Sequence, residues 1–243
     1  MEKSKNIFYL NWDDASEEIK NADAVIVSIG SIEQHGHHLP LGTDTIITEK
    51  ILEKITSELN CIYYPPITFG QTWSSSSFAG TVSIDDDVLT NYIINVINSI
   101  NKFNPKKIIL YTFHRGNEKT IVNVLRKLED RTNLFHVEFF NIYDYVKEIV
   151  EDHIFGKTWH AGEIETSIML YLEKDLVNLE KFNINELVDK NMISKIREVK
   201  WKTFNVSGSW GNASLANAEK GKYIFETLIS KISISINEII SSK

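Results

Sequence analysis

A single cysteine, Cys61, stands among the 243 residues, which excludes a disulfide within the chain and fits a reducing compartment. There are only four prolines and eleven glycines, so breaks between elements are few. No run approaches the roughly 18 apolar residues that a membrane helix requires. Residues 1–19 carry charges and no continuous apolar region, unlike a secretory signal. An excess of positive charge is also missing: 26 Lys and Arg face 33 Asp and Glu, a formal net charge of -7, so a nucleic acid would meet net repulsion. The most basic short stretch, Lys102 to Lys107, places three lysines around Pro105 and reads as a helix end and loop before a strand. Cytoplasm is the expected compartment, with neither a membrane nor a nucleic acid as partner.

What is present is ordinary globular composition. Hydrophobic residues make up 42% and charged residues 24%, which argues against disorder or a coiled coil. Short apolar runs alternate with longer stretches of helical period, the mark of βαβ units and a mainly parallel sheet. Residues 24–30, AVIVSIG, form the almost unbroken apolar run of a strand buried on both faces. Thr43 or Asp44 opens a helix to about Leu59, with Ile46, Ile47, Ile51, Ile55 and Leu59 as its apolar stripe. A second strand is expected within Ile62 to Ile67, limited by Pro65 and Pro66. Thr72 to Ser77 reads as a serine-rich loop, and Asp85 to Asp87 cap a helix carrying Val88, Ile93, Ile94 and Ile97. A third strand, Lys107 to Phe113, runs into His114 and is followed by a helix from about Asn117 to Leu128. A fourth strand falls within Leu134 to Ile142, a helix begins near Gly162 and runs to Leu172, and a final helix spans about Ala213 to Ile240. Glu173 to Lys202 is polar and carries no clear pattern. No repeat, low-complexity tract or linker divides the chain, so residues 1–243 read as one domain.

The chemistry concentrates after the first strand, in residues 31–44, SIEQHGHHLPLGTD. Residues two apart in extended backbone project to the same side, so Glu33 and His35 can converge. Carboxylate and imidazole suit zinc, manganese or iron, and Asp44 could bridge two such ions. The third strand delivers His114 to the same rim, because ligands in open parallel sheets bind beyond the carboxyl ends of the strands. Adjacent side chains diverge in extended chain, so His37 and His38 read as loop or supporting groups. Gly36 and Gly42 make turns or admit a close backbone approach. His136 and His153 lie in amphipathic context and read as structural. A further group, Trp159 to Ser167, opens a helix. His160 there can act as a general acid or base with a carboxylate fixing its tautomer, or can be a half-buried ring in a capping segment.

These segments together resemble the creatininase (creatinine amidohydrolase) family over most of the chain. SIEQHGHHLPLGTDT at 31–45 is similar to the family's strand-to-loop signature, FAGTVS at 78–83 to its middle motif, FHRGN at 113–117 to its H-x-x-N metal motif, HAGEIETS at 160–167 to its catalytic motif, and SWGNASLANAEKG at 209–221 to its closing segment. The resemblance implies a three-layer αβα sandwich with a mainly parallel sheet, two divalent metal ions (zinc, manganese or iron), a small-molecule amide substrate, and a homo-oligomer, often a hexamer. It implies that Glu33 and His114 bind one ion, His35 the other, and Asp44 both. His160 and Glu165 match the catalytic pair, with Glu165 orienting the imidazole; Glu163 receives no role. Arg115 and Ser77 are candidates for substrate contact.

The chain also departs from the pattern. Creatininases proper carry H-Y-E-N where this chain has His114-Arg-Gly-Asn117. Gly116 offers no side-chain ligand, so the second site must recruit water, Glu165 or substrate, or stay weakly filled. Relatives with H-G-G-N include deformylases and peptide-trimming enzymes, and this chain is closer to those. Arg115 could clamp a phosphate or carboxylate of the substrate, or could be a surface arginine. The expected activity is hydrolysis of a non-peptide C–N bond in a cyclic amide or formamide by metal-activated water. A formyl-pyrimidine ribotide is attractive because Arg115 could meet its phosphate, and creatinine ranks lower. Peptide trimming and a catalytically retired fold are the alternatives.

Overall fold

The apolar run after Asp23 becomes strand β1 (Ala24–Ile29), buried along its whole length. Its alternate residues feed two separate cores: Ala24 and Ile26 face one cluster, Val25, Val27 and Ile29 the other. That division explains why the run shows no polar alternation, since neither face meets water. The computed structural model describes residues 5–130, 133–137, 143–151, 160–182 and 199–242.

Among the described residues, four parallel strands in the order β2 (Cys61–Tyr63), β1, β3 (Ile108–Thr112) and β4 (Leu134–His136) form the sheet. Helices α1 (Trp12–Asn21), α3 (Asp86–Asn101) and α4 (Glu118–Lys127) supply the apolar side chains of one face, including Ile19, Ile93, Ile97, Ile121 and Val124. Helices α2 (Thr43–Glu58), α6 (Glu163–Leu172) and α7 (Ala218–Ser241), with the short α5 (Tyr143–Val146), cover the other through Ile47, Ile51, Ile164, Ile168, Ile224 and Leu228. The architecture is an αβα sandwich. No helix among the described residues is long and apolar enough to cross a membrane.

Several boundaries differ from the sequence expectation, each for a local reason. β2 stops at Tyr63 because Pro65 and Pro66 lack the N–H that a ladder needs; Ile67 then makes only an isolated bridge to Ile29. The final helix starts at Ala218, not Ala213. Two asparagines divide that segment: the Asn212 side chain accepts from the Ser214 N–H and closes a 3-10 turn, and the Asn217 side chain accepts from the Lys220 N–H and caps the helix. Val88 is exposed, and Leu89 takes its expected place on the buried face of α3. Asp85 is the N-cap of α3 but makes no side-chain cap bond. The expected extension of β4 through residues 138–142 lies outside the described residues, as do His153 and Trp159.

Two long-range ties fix the layer that carries the site. Lys107, at the foot of β3, reaches the terminal carbonyls of α7, those of Ile239, Ile240 (3.3 Å) and Ser242 (2.6 Å), where a cation also complements the helix dipole. Glu163, fully buried at the start of α6, pairs with Lys220 of α7 at 2.7 Å and accepts the Glu151 N–H at 2.8 Å. This accounts for the acidic residue to which the resemblance gives no role: left unpaired there, its charge would be costly.

Candidate metal centre

Beyond β1 the chain turns back on itself and is pinned to the start of α2. Thr45 Oγ1 donates to the Ser31 carbonyl at 2.8 Å and accepts the Ser31 N–H, while the Ser31 hydroxyl donates to Asp44 Oδ2 at 2.7 Å. A side chain at Gly30 would collide with Thr45, so glycine is what permits this contact. Gly36, with φ +68°, makes the turn that follows His35. At the end of β3, Thr112 Oγ1 donates to the Ile29 carbonyl at 2.6 Å. Asn117 donates to the Gly30 carbonyl at 2.9 Å and accepts the Gln71 N–H at 2.9 Å. The asparagine of the H-x-x-N segment therefore joins three chain segments and serves as a brace.

These ties bring Glu33, His35, Asp44 and His114, all buried, into one cluster with His160 and Glu165. Two triads have ligand-type atoms within 4.8 Å of one another: Glu33, Asp44 and His114, and His35, Asp44 and Glu165. Asp44 belongs to both. A third grouping joins Glu33 of the first triad and His35 of the second to His160.

Each ring of the metal-type histidines has one nitrogen committed to a backbone carbonyl. His35 Nδ1 lies 3.0 Å from the Glu33 carbonyl and His114 Nε2 lies 2.8 Å from that of Gln71. A carbonyl accepts only, so both nitrogens carry hydrogen, and the remaining nitrogens turn toward carboxylates. His114 Nδ1 is 2.8 Å from Asp44 Oδ2 and 3.2 Å from Glu33 Oε2; His35 Nε2 is 3.3 Å from Asp44 Oδ1 and 3.9 Å from Glu165 Oε2. Despite this proximity, Glu33 Oε2 and His35 Nε2 have no aligned hydrogen-bond partner among the described residues. A lone pair facing carboxylate oxygens is repulsive unless a proton or a metal cation lies between them.

The electrostatics say the same. Burial works against protonation of His35, yet the Asp44 carboxylate overrides it and pushes the imidazole up to about 10. His114 likewise rises to about 9, burial being outweighed by Glu33 and Asp44. Burial also opposes ionisation of Asp44, but the two histidines hold it well below the usual carboxylate range. Desolvation lifts Glu33 above its ordinary value and raises Glu165 to about 7, against the pull of the histidines. The cluster holds cationic charge wherever it can, the behaviour of a donor set that fits a metal ion.

His160 differs. Burial and the neighbouring His35 charge keep it well below its ordinary value, hence neutral. Its Nε2 sits 2.7 Å from the Gln34 main-chain carbonyl and 2.9 Å from the Gln34 side-chain nitrogen. The first contact suits a protonated nitrogen and the second a lone pair, so Gln34 can meet either form. Glu165 Oε2 accepts the Ala161 N–H at 2.5 Å, and Ala161 holds a left-handed backbone, φ +53°. The carboxylate is directed to His35 and Asp44, where the sequence had suggested the His160 ring.

Arg115 is exposed on the 3-10 turn Arg115–Asn117. Ser77 is exposed, and the hydroxyl that reaches the cluster is that of Ser75, which is buried and donates to Glu33 Oε1. His37 is exposed; His38 is buried, contacts Thr166 Oγ1 at 2.9 Å, and is held down to about 4 by burial and the charge on His35. His136 lies 3.6 Å from Glu118 at the end of β4. At Gly116 any side chain would run into the Gln71 carbonyl and the His114 ring, so the hydrogen bond that fixes His114 excludes a glutamate from this position as the backbone stands. Sequence reasoning missed Ser31, Gln34, Gln71 and Ser75. Ser31 and Gln34 lie inside the signature segment, where adjacency to Glu33 was the available signal; Gln71 acts through its backbone, which leaves no trace in sequence.

Comparison with known proteins bears on the family and the fold. The family described as creatinine amidohydrolase matches residues 9–236. The creatinine amidohydrolase of Pseudomonas putida is 25% identical over 260 residues, 98% of each chain. The mycofactocin precursor peptide peptidase of Mycolicibacterium smegmatis is 26% identical over 216 residues, 84% of this chain and 81% of that one. A solved creatininase described as a zinc-zinc type superposes with a TM-score of 0.78 at 21% identity, over 99% of this chain and 100% of the other, which shows the shared fold.

Proposed function

The chain belongs to the creatininase family, and from that premise we propose that it is a metal-dependent hydrolase that opens a non-peptide C–N bond in a cyclic amide or a formamide. The observation that carries this reading is the pair of triads joined at Asp44. Glu33, Asp44 and His114 would hold one divalent ion, and His35, Asp44 and Glu165 the other. Glu165 thereby supplies the second ligand set that Gly116 cannot. Zinc, manganese and iron all suit these donors, and zinc is the first to test because a relative is described in a zinc-zinc form.

When bound, such ions polarise a carbonyl and lower the pKa of a water they hold toward about 7. The protein's own residues do the rest. Neutral His160 takes the proton that the attacking water gives up and delivers it to the departing nitrogen, the work of a positioned general base and acid. Gln34 holds the imidazole in either state. Ser75 fixes the rotamer of Glu33, and the Gln71 carbonyl fixes the tautomer of His114. Arg115, next to His114 in the chain, and Ser77, both exposed, would meet an anionic group on the substrate, which makes a phosphorylated formamide the first substrate to try.

The test combines elemental analysis of purified protein with a screen of cyclic amides, formamides with and without phosphate, and a short peptide. About two ions per chain and turnover of an amide or formamide are expected. Glu33→Ala should lose both metal and turnover, and full activity in that variant overturns the assignment. Cleavage of the peptide alone redirects the reading to peptide trimming. The hexamer implied by the resemblance is checked separately by light scattering.

A further inference from the structure

His160 is flanked on two sides. Its ring lies 4.4 Å from that of His35 and, edge to face at 63°, 4.7 Å from the indole of Trp201. Trp201 packs in turn on Trp210, 6.1 Å away. Trp210 and His160 form an isolated antiparallel bridge, so their side chains leave the same side of the backbone. Trp201 is only half-buried. Trp210 is buried, and its indole N–H has no hydrogen-bond partner among the described residues, a donor that an acceptor on a bound molecule would satisfy.

The loop carrying both tryptophans is fastened at each end. On one side Gln34 donates to the Gly208 carbonyl at 2.9 Å, and Gly208, with φ +76°, stands where any side chain would strike Gln34. Asn205 ties the interior, accepting the Ser207 and Gly208 N–H groups and donating to the Ser209 carbonyl at 2.6 Å. On the other side Lys200 reaches the turn that carries Ser75. Its ammonium donates to the Trp73 carbonyl at 2.7 Å and to Ser76 Oγ at 2.6 Å, 4.0 Å above the Trp73 ring. Holding this half-buried lysine costs rotamer freedom, and the result is an indole kept against the imidazole.

We infer that Trp201 is a specificity-determining residue: its indole is the wall against which the leaving-group side of the substrate lies, and it selects flat, unsaturated amines over small aliphatic ones. Lys200 is a positioning residue that latches this wall. The identity of the leaving group rests on the hydrolase reading. In that reaction the water oxygen bonds to the carbonyl carbon, the C–N bond breaks with its electron pair on nitrogen, and nitrogen takes the proton from His160. The nitrogen must therefore approach His160, and the group it carries must lie beside the indole. An aromatic face packed on another contributes beyond simple burial, and a methyl group offers no such pairing.

The test compares zinc-loaded wild type with Trp201→Ala, Trp201→Phe and Lys200→Met. Calorimetry reads binding of acetanilide and of N-methylacetamide, which differ only in the group on nitrogen, and rates are followed for formanilide and N-methylformamide. Trp201→Ala should bind acetanilide about tenfold more weakly and change N-methylacetamide binding by less than about twofold. Trp201→Phe should recover most of the loss, Lys200→Met should lose about threefold, and zinc content should be unchanged in all. The wall is overturned if wild type does not bind acetanilide, if Trp201→Ala binds it as well as wild type does, or if both amides weaken equally. Selective acetanilide binding without turnover of either formamide leaves the wall standing and removes the hydrolase reading.

Discussion

The two triads that meet at Asp44 are built unequally. In the first, every side chain has a second anchor: Ser75 on Glu33, Gln71 on His114 and Ser31 on Asp44. Its members come from the ends of the neighbouring strands β1 and β3 and from the first turn of α2, parts of one hydrogen-bonded rim. In the second, His35 is anchored within its own loop, but Glu165 arrives from α6 and is held through the N–H of Ala161, a residue in a left-handed conformation. The first triad is thus set by the sheet, while the second is completed only when α6 docks. The difference teaches that one carboxylate can belong to two sites of unlike stiffness, and that the stiffer one should fill first.

Asp44→Asn is expected to have the largest effect, because it removes the common member: both ions should disappear from elemental analysis, and turnover with them. Retention of one ion would break the comparison at its centre. Glu165→Gln should lose one ion and keep the other, so that metal content falls to about half and the remaining ion stays as tightly bound as before. Loss of both would mean that the first triad cannot stand alone. Ser75→Ala is milder. It should weaken the first ion by about 10- to 100-fold, the usual consequence of removing a group that orients a ligand, with little change at the second; chelator competition separates the two.

The smallest effect is one of pH on the metal-free protein. His35 and His114 have folded values of about 10 and about 9, above the roughly 6.5 of an unfolded histidine. A group whose pKa is raised by folding contributes stability that is fully present below its unfolded value and is lost as pH rises through the folded one. Metal-free protein should therefore show a falling melting temperature from about pH 6.5 to 10. Zinc-loaded protein, with metal in place of those protons, should not show this fall. Parallel slopes for the two forms would refute the idea that proton and metal occupy the same place.

Much of this arrangement was legible in sequence, for identifiable reasons. β1 stands out because both its faces are buried, and α2 because Ile47, Ile51 and Ile55 recur on one side. Glu33, His35, Asp44 and His114 announce themselves because metal-type side chains at strand ends are dense and few. His160 was visible as a histidine just before a helix, its pairing with Glu165 came through family resemblance, and the contacts of Glu165 needed coordinates. Ser75 is one of four consecutive serines, and nothing in composition distinguishes the one that turns inward. Glu163 gave no signal because its partner, Lys220, lies 57 residues away. Trp201 was hidden in a polar stretch whose neighbours carry no periodicity. In each of these cases the deciding quantity is a distance between remote segments, which local pattern does not encode.

Ala161 bears further on how this protein could be engineered. An L-residue in the left-handed region gives up roughly 1–2 kcal/mol that glycine would not, and the peptide that does so joins the imidazole of the centre to the helix bearing its last carboxylate. A search for more heat-resistant variants would favour glycine at 161. The backbone it released is the one that aims His160 and receives Glu165, so the sturdier variant would be the less well aligned one.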